Sequence, residues 1–221
     1  MAQPPSALHV GLPRFPETTG AEEARRQGGA LGWTVHLLDP QAPPPPGLDL
    51  ILLPGGDPSP EELADQAASP LGRGLRDFAA RAGRMLGLGA GFALLCELDL
   101  LPGRLAPNPG GRLHHGPALF RLEPALGPWR PGTLLELPVA TRGGRYEVDP
   151  ETLVDLELEG RVLLRCCGPK GEIGEAWNPL GAQGAVAGLR DASGRVMGVI
   201  PQLERTAGGA DAGALLRALV G

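Results

Sequence analysis

A glycine-rich turn, Gly87-Leu88-Gly89-Ala90-Gly91, lies between a predicted buried strand and a predicted helix. A sharp strand-to-helix turn projects one side chain above the strand ends and aims backbone N–H groups at the atom which that side chain attacks. The projecting position here is Gly89, which has no side chain. No Ser, Cys, Thr, Asp or Lys occurs from Met85 to Leu95, so a shift of one residue does not recover a nucleophile. The turn therefore predicts the geometry of nucleophilic catalysis without its reacting group.

The other cysteines are poor substitutes for that group. Cys96 follows Gly89 by seven residues, which is about 10 Å along a helix and too far to reach the same substrate atom. Its apolar helical position predicts that it packs in the core. Cys166 and Cys167 follow an apolar strand, where two buried thiols are favoured over a strained vicinal disulfide.

Two further patterns are weak signals for ligands. The glycines of the turn open a helix and could hold a phosphate, but the dinucleotide-binding fingerprint requires a glycine where Phe92 stands. His114-His115 could bind a metal, yet no carboxylate or further histidine lies nearby at ligand spacing, which favours surface or interface histidines. We expect neither a metal site nor a cofactor.

The bulk properties limit the class of protein. A chain of 221 residues predicts one domain over residues 1–221. The net charge of −5, with scattered Lys and Arg, disfavours nucleic acid and anionic membranes as partners. Three cysteines make neither a disulfide framework nor a zinc site. Because Met1–Ser6 lacks the pattern of an export signal and no long apolar run follows, we expect a soluble, cytoplasmic protein.

In the first hundred residues, apolar segments typical of strands alternate with helical segments. Strands are predicted at Leu8–Leu12, Trp33–Leu38, Leu48–Leu53 and Arg84–Leu88. Helices are predicted over about residues 22–31, capped by Thr18 or Thr19, from Ser59 as cap, over Pro70–Ala82 and over Gly91–Leu98. The proline run Pro43–Pro46 is predicted to be an extended connector. The alternation predicts an α/β, flavodoxin-like, open and mostly parallel sheet with helices on both faces and ligands beyond the carboxyl ends of the strands.

The second half of the chain predicts an added antiparallel region. Strand-like segments joined by turns are Ala118–Leu122, Thr133–Val139, Arg161–Cys166, Val186–Leu189 and Arg195–Ile200, with a hairpin loop at Asp191–Gly194. Helices are predicted after the cap Asp149 and over Asp211–Leu219.

Several short motifs occur together in an order and spacing that resemble one enzyme family. They are Arg14-Phe15-Pro16, Leu52-Leu53-Pro54-Gly55-Gly56, Leu86–Phe92, Leu100-Leu101-Pro102-Gly103, Leu137-Pro138-Val139-Ala140, Gly144-Arg145-Tyr146, Asn178-Pro179, Val186-Ala187-Gly188 and Pro201–Arg205. Over nearly the whole chain, this pattern resembles the glutaminase subunit of phosphoribosylformylglycinamidine synthase. That family consists of class I glutamine amidotransferases of purine biosynthesis.

The resemblance also identifies what is missing. The family turn reads G-x-C-N-G-F-Q, and its cysteine attacks the side-chain amide of glutamine; here Gly89 replaces the cysteine, Ala90 the asparagine and Ala93 the glutamine. Near the C-terminus the family has P-H-P-E-R, in which the histidine is the general base and the glutamate orients it. Here Gln202 replaces the histidine, and Glu204 remains as the orienting acid.

Two other family segments differ in how well they are retained. Gly55-Gly56 resembles the loop that donates an N–H group to the oxyanion, whereas Thr141-Arg142-Gly143-Gly144 replaces the family's H-G-E-G. A primary amide is inert at neutral pH without a strong nucleophile and a base. The resemblance therefore implies a catalytically degenerate subunit that is inactive as a glutaminase.

Three functional hypotheses remain open. The first is a scaffold or regulator that still docks on the synthetase subunit. The second is a free-standing protein that binds a small amino acid or amide in a pocket enlarged at Gly89 and Ala93, with Gln202 as a polar contact. The third is an active amidotransferase whose nucleophile has moved elsewhere.

Overall fold

The computed structural model describes residues 7–205 and 209–220. Its strands are β1 (His9–Pro13), β2 (Thr34–Leu38), β3 (Leu50–Leu53), β4 (Arg84–Leu88), β5 (Arg104–Ala106), β6 (His114–Leu122), β7 (Leu134–Thr141), β8 (Arg145–Glu147), β9 (Val162–Cys166), β10 (Val186–Arg190) and β11 (Val196–Val199). Its helices are α1 (Ala21–Ala30), α2 (Pro60–Ala68), α3 (Pro70–Ala80), α4 (Ala90–Glu97), α5 (Pro150–Leu158) and α6 (Gly209–Val220).

Nine strands form one sheet in the order β2-β1-β3-β4-β11-β10-β9-β6-β7. The five strands from β2 to β11 are parallel to their neighbours, and the remaining pairings are antiparallel. Every residue of β3 is buried. Because successive side chains of a strand point to opposite faces, the sheet is covered on both sides there. The predicted α/β fold with an added antiparallel region is confirmed.

The first helix does not begin as predicted. Neither Thr18 nor Thr19 caps it; the N-cap is Gly20, which makes no side-chain cap hydrogen bond. The Gly20 N–H donates to the Gly55 carbonyl oxygen at 2.9 Å. A Cβ at Gly20 would overlap Oε1 of Glu204, so contacts with distant parts of the chain determine where this helix starts.

The helix start at Ser59 is confirmed in detail. The Ser59 hydroxyl accepts from the Glu62 N–H at 3.2 Å, and the Glu62 carboxylate accepts from the Ser59 N–H at 2.7 Å. This reciprocal pair satisfies N–H groups that a helix leaves without partners. It fixes the direction in which the chain leaves the loop that follows β3.

Strands β5 and β8 are not among the predicted strands, and β6 is longer than predicted. The three-residue strands β5 and β8 pair with each other in a small separate sheet. Strand β6 begins at His114 instead of Ala118, because residues 114–117 pair with β7. Gly116 and Pro117 in this stretch are typical of a turn, so only the partner strand reveals that it is extended.

Strand β4 meets helix α4 at very close range, and only glycine fits there. A Cβ at Gly91 would overlap the carbonyl oxygen of Leu53, and a Cβ at Gly87 would lie 2.5 Å from the Gly91 carbonyl. A Cβ at Gly198 on β11 would overlap the ring of Phe92. These contacts hold the first turn of α4 against three neighbouring strands.

Replacing Gly91 with Ala is expected to lower the free energy of unfolding by about 2 to 3 kcal/mol, because backbone atoms must move to admit the methyl group. The matched control is Gly29→Ala in α1, where no atom lies within 4 Å of the added Cβ. That change is expected to raise stability by up to about 1 kcal/mol, since alanine favours helices. Urea unfolding followed by circular dichroism measures both; similar effects at the two sites would contradict the close-approach argument.

Candidate active site with a glycine at the nucleophile position

Three adjacent parallel strands deliver three distant segments to one edge of the sheet. The loop after β3 carries Gly55 and Gly56, the turn after β4 carries Gly89, and residues 201–205 follow β11. We call the turn Gly87–Gly91 the elbow and residues 201–205 the C-terminal segment. The sheet order thus brings together the predicted site residues around the carboxyl ends of the strands.

The elbow keeps the backbone of a side-chain-presenting turn. Gly89 has φ 53° and ψ −110°, and its N–H donates to the Val199 carbonyl at 2.8 Å. A Cβ at Gly89 would point towards Gln202, with its nearest atoms Nε2 at 3.5 Å and Cγ at 3.6 Å. These are ordinary van der Waals distances, so there is room for the start of a side chain although the positive φ would strain it.

Gln202, at the position of the family's base, is almost fully buried. It is 1% exposed, and its side-chain Nε2 donates to the Ala140 carbonyl at 2.9 Å. Its backbone N–H donates to the Pro138 carbonyl at 2.9 Å. These two bonds tie the C-terminal segment to β7, and they leave Gln202 Oε1 without a hydrogen-bond partner.

Glu204 is also buried. Among the described residues, no hydrogen bond joins its side chain to that of Gln202. Its Oε1 accepts from the Gly55 N–H at 2.8 Å, and its Oε2 has no partner. Burial is the main cause that raises the pKa of Glu204 from 4.5 to about 7. The backbone N–H groups of Glu204 and Gly55 and the charge of Arg205 oppose this rise, and the charge of Glu23 adds to it.

Gly55 and Gly56 both make close contacts, but with different parts of the protein. The Gly55 N–H is already engaged by Glu204, and a Cβ at Gly55 would lie 2.6 Å from Glu204 Oε1. Gly56 packs against the backbone of Glu17 and lines an open cleft beside the elbow. The loop resembles the family's oxyanion loop in its two glycines. Its Gly55 N–H, however, already donates to Glu204 and does not point to a substrate oxygen in this state.

The cleft has a volume of about 750 Å³. Of the predicted site residues, Gly56, Ala90 and Ala93 line it, whereas Gly55, Gly89, Gln202 and Glu204 do not. The second group is buried. The structure thus divides the predicted residues into a surface group and a buried group.

Charged side chains that the sequence analysis did not select as site residues also line the cleft. They are Asp57, Glu62, Glu97, Arg104, Arg142 and Arg145. Arg142 pairs with Asp57 at 3.5 Å across the cleft. Arg104 and Arg145 both pair with Glu147, at 2.7 and 2.9 Å. Asp57 and Arg142 each lie shortly after the end of a strand, and this position in the sequence could have identified them as candidate site residues.

The cysteines lie in environments that oppose thiolate formation. Cys96 belongs to the core, as predicted, and is 6% exposed. Burial raises the pKa of its thiol far above the usual range. Cys166 and Cys167 are both free and buried, and burial raises the pKa of Cys166 to about 12.

The remaining candidates give no ligand site within residues 7–205 and 209–220. His114 and His115 lie on β6 opposite Thr141 and Ala140. No group of three or more histidine, cysteine or acidic side chains suited to a metal occurs in that part of the chain. None of the described helices is both long and apolar enough to cross a membrane.

The free energy of unfolding is expected to depend on the ionisation of Glu204. The folded protein keeps the Glu204 proton to a higher pH than the unfolded chain does, so stability is lost as the pH rises from about 4.5 through about 7. The loss amounts to about 3 kcal/mol when complete. Glu204→Gln removes the titrating group, so this variant is expected to gain stability relative to the wild type over that range.

Denaturant unfolding of both proteins between about pH 5 and pH 8 measures this difference. Glu136→Gln, an exposed substitution on β7, is the control for the loss of one carboxylate. A difference between wild type and Glu204→Gln that stays constant with pH would refute the neutral state of Glu204.

Comparison with protein families gives a match over most of the chain. Residues 64–212 match the CobB/CobQ-like glutamine amidotransferase domain. The subunit PurQ of phosphoribosylformylglycinamidine synthase from Rhodopseudomonas palustris is 38% identical over 167 residues, which are 72% of this chain and 72% of that protein. PurQ of Rhodospirillum rubrum is 37% identical over 187 residues, covering 80% of this chain and 81% of the relative.

Solved structures share the fold at lower identity. A chain in the structure of PurLQS from Thermotoga maritima superposes with a TM-score of 0.81 and 22% identity, covering 97% of this chain and 98% of that one. A glutamine amidotransferase, also from Thermotoga maritima, superposes with a TM-score of 0.56 and 13% identity, covering 89% and 76%.

Proposed function

Because the chain belongs to the glutamine amidotransferase family and is related to PurQ subunits of phosphoribosylformylglycinamidine synthase, we propose that it is a member without glutaminase activity. In this proposal it acts as a scaffold or regulator on a synthetase subunit. The observation that carries the proposal is Gly89: the elbow backbone is retained at the nucleophile position, but no side chain is there.

Cys96 is a poor replacement for the missing nucleophile, although it is among the residues that line the cleft. The thiol of Cys96 is buried and its pKa is raised, which disfavours the reactive thiolate. Gln202 cannot accept and return a proton as a general base, and its amide is bonded to Ala140. Loss of the nucleophile in comparable hydrolytic sites lowers the turnover rate by a factor of about 10⁶. The remaining rate enhancement comes from oxyanion contacts and substrate binding. Since the Gly55 N–H is bonded to Glu204, that remainder is weakened as well.

The retained fold supports a role in assembly. The likeness to PurLQS spans nearly the whole chain, and the relatives at 37–38% identity are named as synthase subunits. Gly89 and Gln202 are both buried, so the substitutions there do not alter the exposed surface. In such an assembly the ammonia would come from solution or from another subunit.

An ammonia-release assay with glutamine tests the loss of activity. The wild-type chain, alone and with the synthetase subunit, is expected to release ammonia at the buffer background, because no nucleophile reaches the amide. The double variant Gly89→Cys, Gln202→His supplies thiol and base at the elbow and is expected to form a covalent glutamyl adduct detectable by mass spectrometry. Cys96→Ser controls for a relocated thiol.

Wild-type release at ordinary enzymatic rates, about 1 per second or more, would overturn the proposal. If Cys96→Ser abolished such release, the nucleophile would have moved to Cys96, which is the third hypothesis.

Size-exclusion chromatography with the synthetase subunit of the same organism tests the assembly role. The wild-type chain is expected to co-elute with that subunit. The double variant at Gly89 and Gln202 is the matched control and should bind equally, because its changes are buried. A chain that stays monomeric in the mixture would argue against a scaffold.

The cleft favours one alternative, a free-standing protein that binds a small amino acid or amide. Its volume of about 750 Å³ is within the range of small-molecule sites, and Ala90 and Ala93 leave its inner wall open. A thermal shift with glutamine or a related amide would support this alternative. Ala93→Leu fills the cleft and should abolish such a shift without changing assembly.

A further inference from the structure

Two buried oxygen atoms in the site have no hydrogen-bond donor. Among the described residues, the buried side-chain polar atoms without a partner are Gln202 Oε1 and Glu204 Oε2. Their side chains are 1% and 0% exposed. An acceptor that is removed from water and left unpaired is unfavourable, and native proteins rarely keep two together.

The two side chains meet at the same face of Gly55. A Cβ built on Gly55 would lie 2.6 Å from Glu204 Oε1 and 2.9 Å from Gln202 Nε2. The orientation of the Gln202 amide is fixed, because Nε2 donates to the Ala140 carbonyl and the reverse orientation would place two acceptors against each other. Gln202 Oε1 is therefore an acceptor that only a new donor can satisfy.

We propose that Glu204 is a carboxylic acid in the folded protein and that its Oε2–H donates to Oε1 of Gln202. One proton taken from solvent then satisfies both orphaned atoms. The proton belongs on Oε2, because Oε1 already accepts from the Gly55 N–H. We call this hydrogen-bonded pair the latch.

The charges around the latch are consistent with a neutral acid. Burial is the largest influence on the Glu204 carboxyl and raises its pKa. Glu23, from α1, adds to this rise, and Arg205, from the same segment, opposes it. Gly20 and Gly55 enclose Oε1 with backbone atoms and bring no charge.

The latch joins three separate parts of the site. Glu204 holds Gly55 in the loop after β3, and Gln202 holds β7 through the carbonyls of Pro138 and Ala140. Deprotonation would place a carboxylate beside an amide oxygen, and the two would repel each other. The attachment of Gln202 to β7 therefore depends on pH near neutrality, whereas the Gly55 N–H can still donate to the ionised carboxylate. This inference is independent of the proposed function, since it concerns the folded chain alone.

Infrared spectroscopy tests the latch directly. The difference spectrum of wild type minus Glu204→Gln is expected to contain a carboxylic-acid C=O band at about pH 6 that vanishes by about pH 9 as Glu204 ionises. Gln202→Met removes the acceptor at similar volume and should shift this band to higher frequency. Gln66→Met, at another buried glutamine, is the matched control and should leave it unchanged.

A second measurement uses only the wild type and is valid even if Gln202→Met does not fold. The hydrogen-exchange protection factor of the Gln202 backbone N–H, which donates to the Pro138 carbonyl, is expected to fall by roughly tenfold from about pH 6 to pH 8, because the Glu204 carboxylate repels Gln202 as the latch opens. The Gly89 N–H, bonded to Val199, should keep its protection. Absence of the acid band at about pH 6, a band unaffected by Gln202→Met, or pH-independent protection of the Gln202 N–H would each overturn the latch.

Discussion

The close approach of helix α4 to strands β3, β4 and β11 is the constraint on which the site depends. Gly87, Gly91 and Gly198 each allow contact at distances that a side chain would forbid. Between these contacts the chain reverses at Gly89 with a positive φ. A turn so constrained raises one position above the strand ends whatever residue stands there. The elbow of this chain therefore has the backbone of a side-chain-presenting turn, with a glycine at the presenting position.

The proposed loss of glutaminase activity is compatible with the retained fold, because the elbow backbone does not depend on the side chain that it presents. Glycine accepts a positive φ without strain, so replacing the nucleophile at Gly89 relieves the backbone instead of disturbing it. Stability and catalysis make opposing demands at such positions, because a nucleophile requires strain that the fold alone does not. Without a catalytic demand, glycine is the residue that the elbow backbone favours.

Gln202 and Glu204 are a buried pair at the positions where the family motif has a histidine and a glutamate. A histidine beside a glutamate can carry a charge that compensates the carboxylate, whereas glutamine cannot. The retained Glu204 is consequently buried without a counter-charge beside it, and its proton affinity rises. Its bond to Gly55 joins the first and last parts of the chain. The acid thus has a structural contact that would preserve it in the absence of a base.

The sequence by itself determined most of the helices and strands and the absence of a nucleophilic side chain from the elbow. Apolar runs such as Leu50–Leu53 and the capping box at Ser59 are local signals, and both predictions held. The absence of a nucleophile around Gly89 needs only the sequence and the strand-to-helix turn. Contacts between distant residues decided the rest. Gly20 rather than a threonine caps α1 because it packs against Glu204, and residues 114–117 are extended because β7 pairs with them. Which predicted site residues line the cleft and which do not was likewise decided by packing between segments far apart in the chain, since burial depends on three-dimensional neighbours that no local pattern encodes.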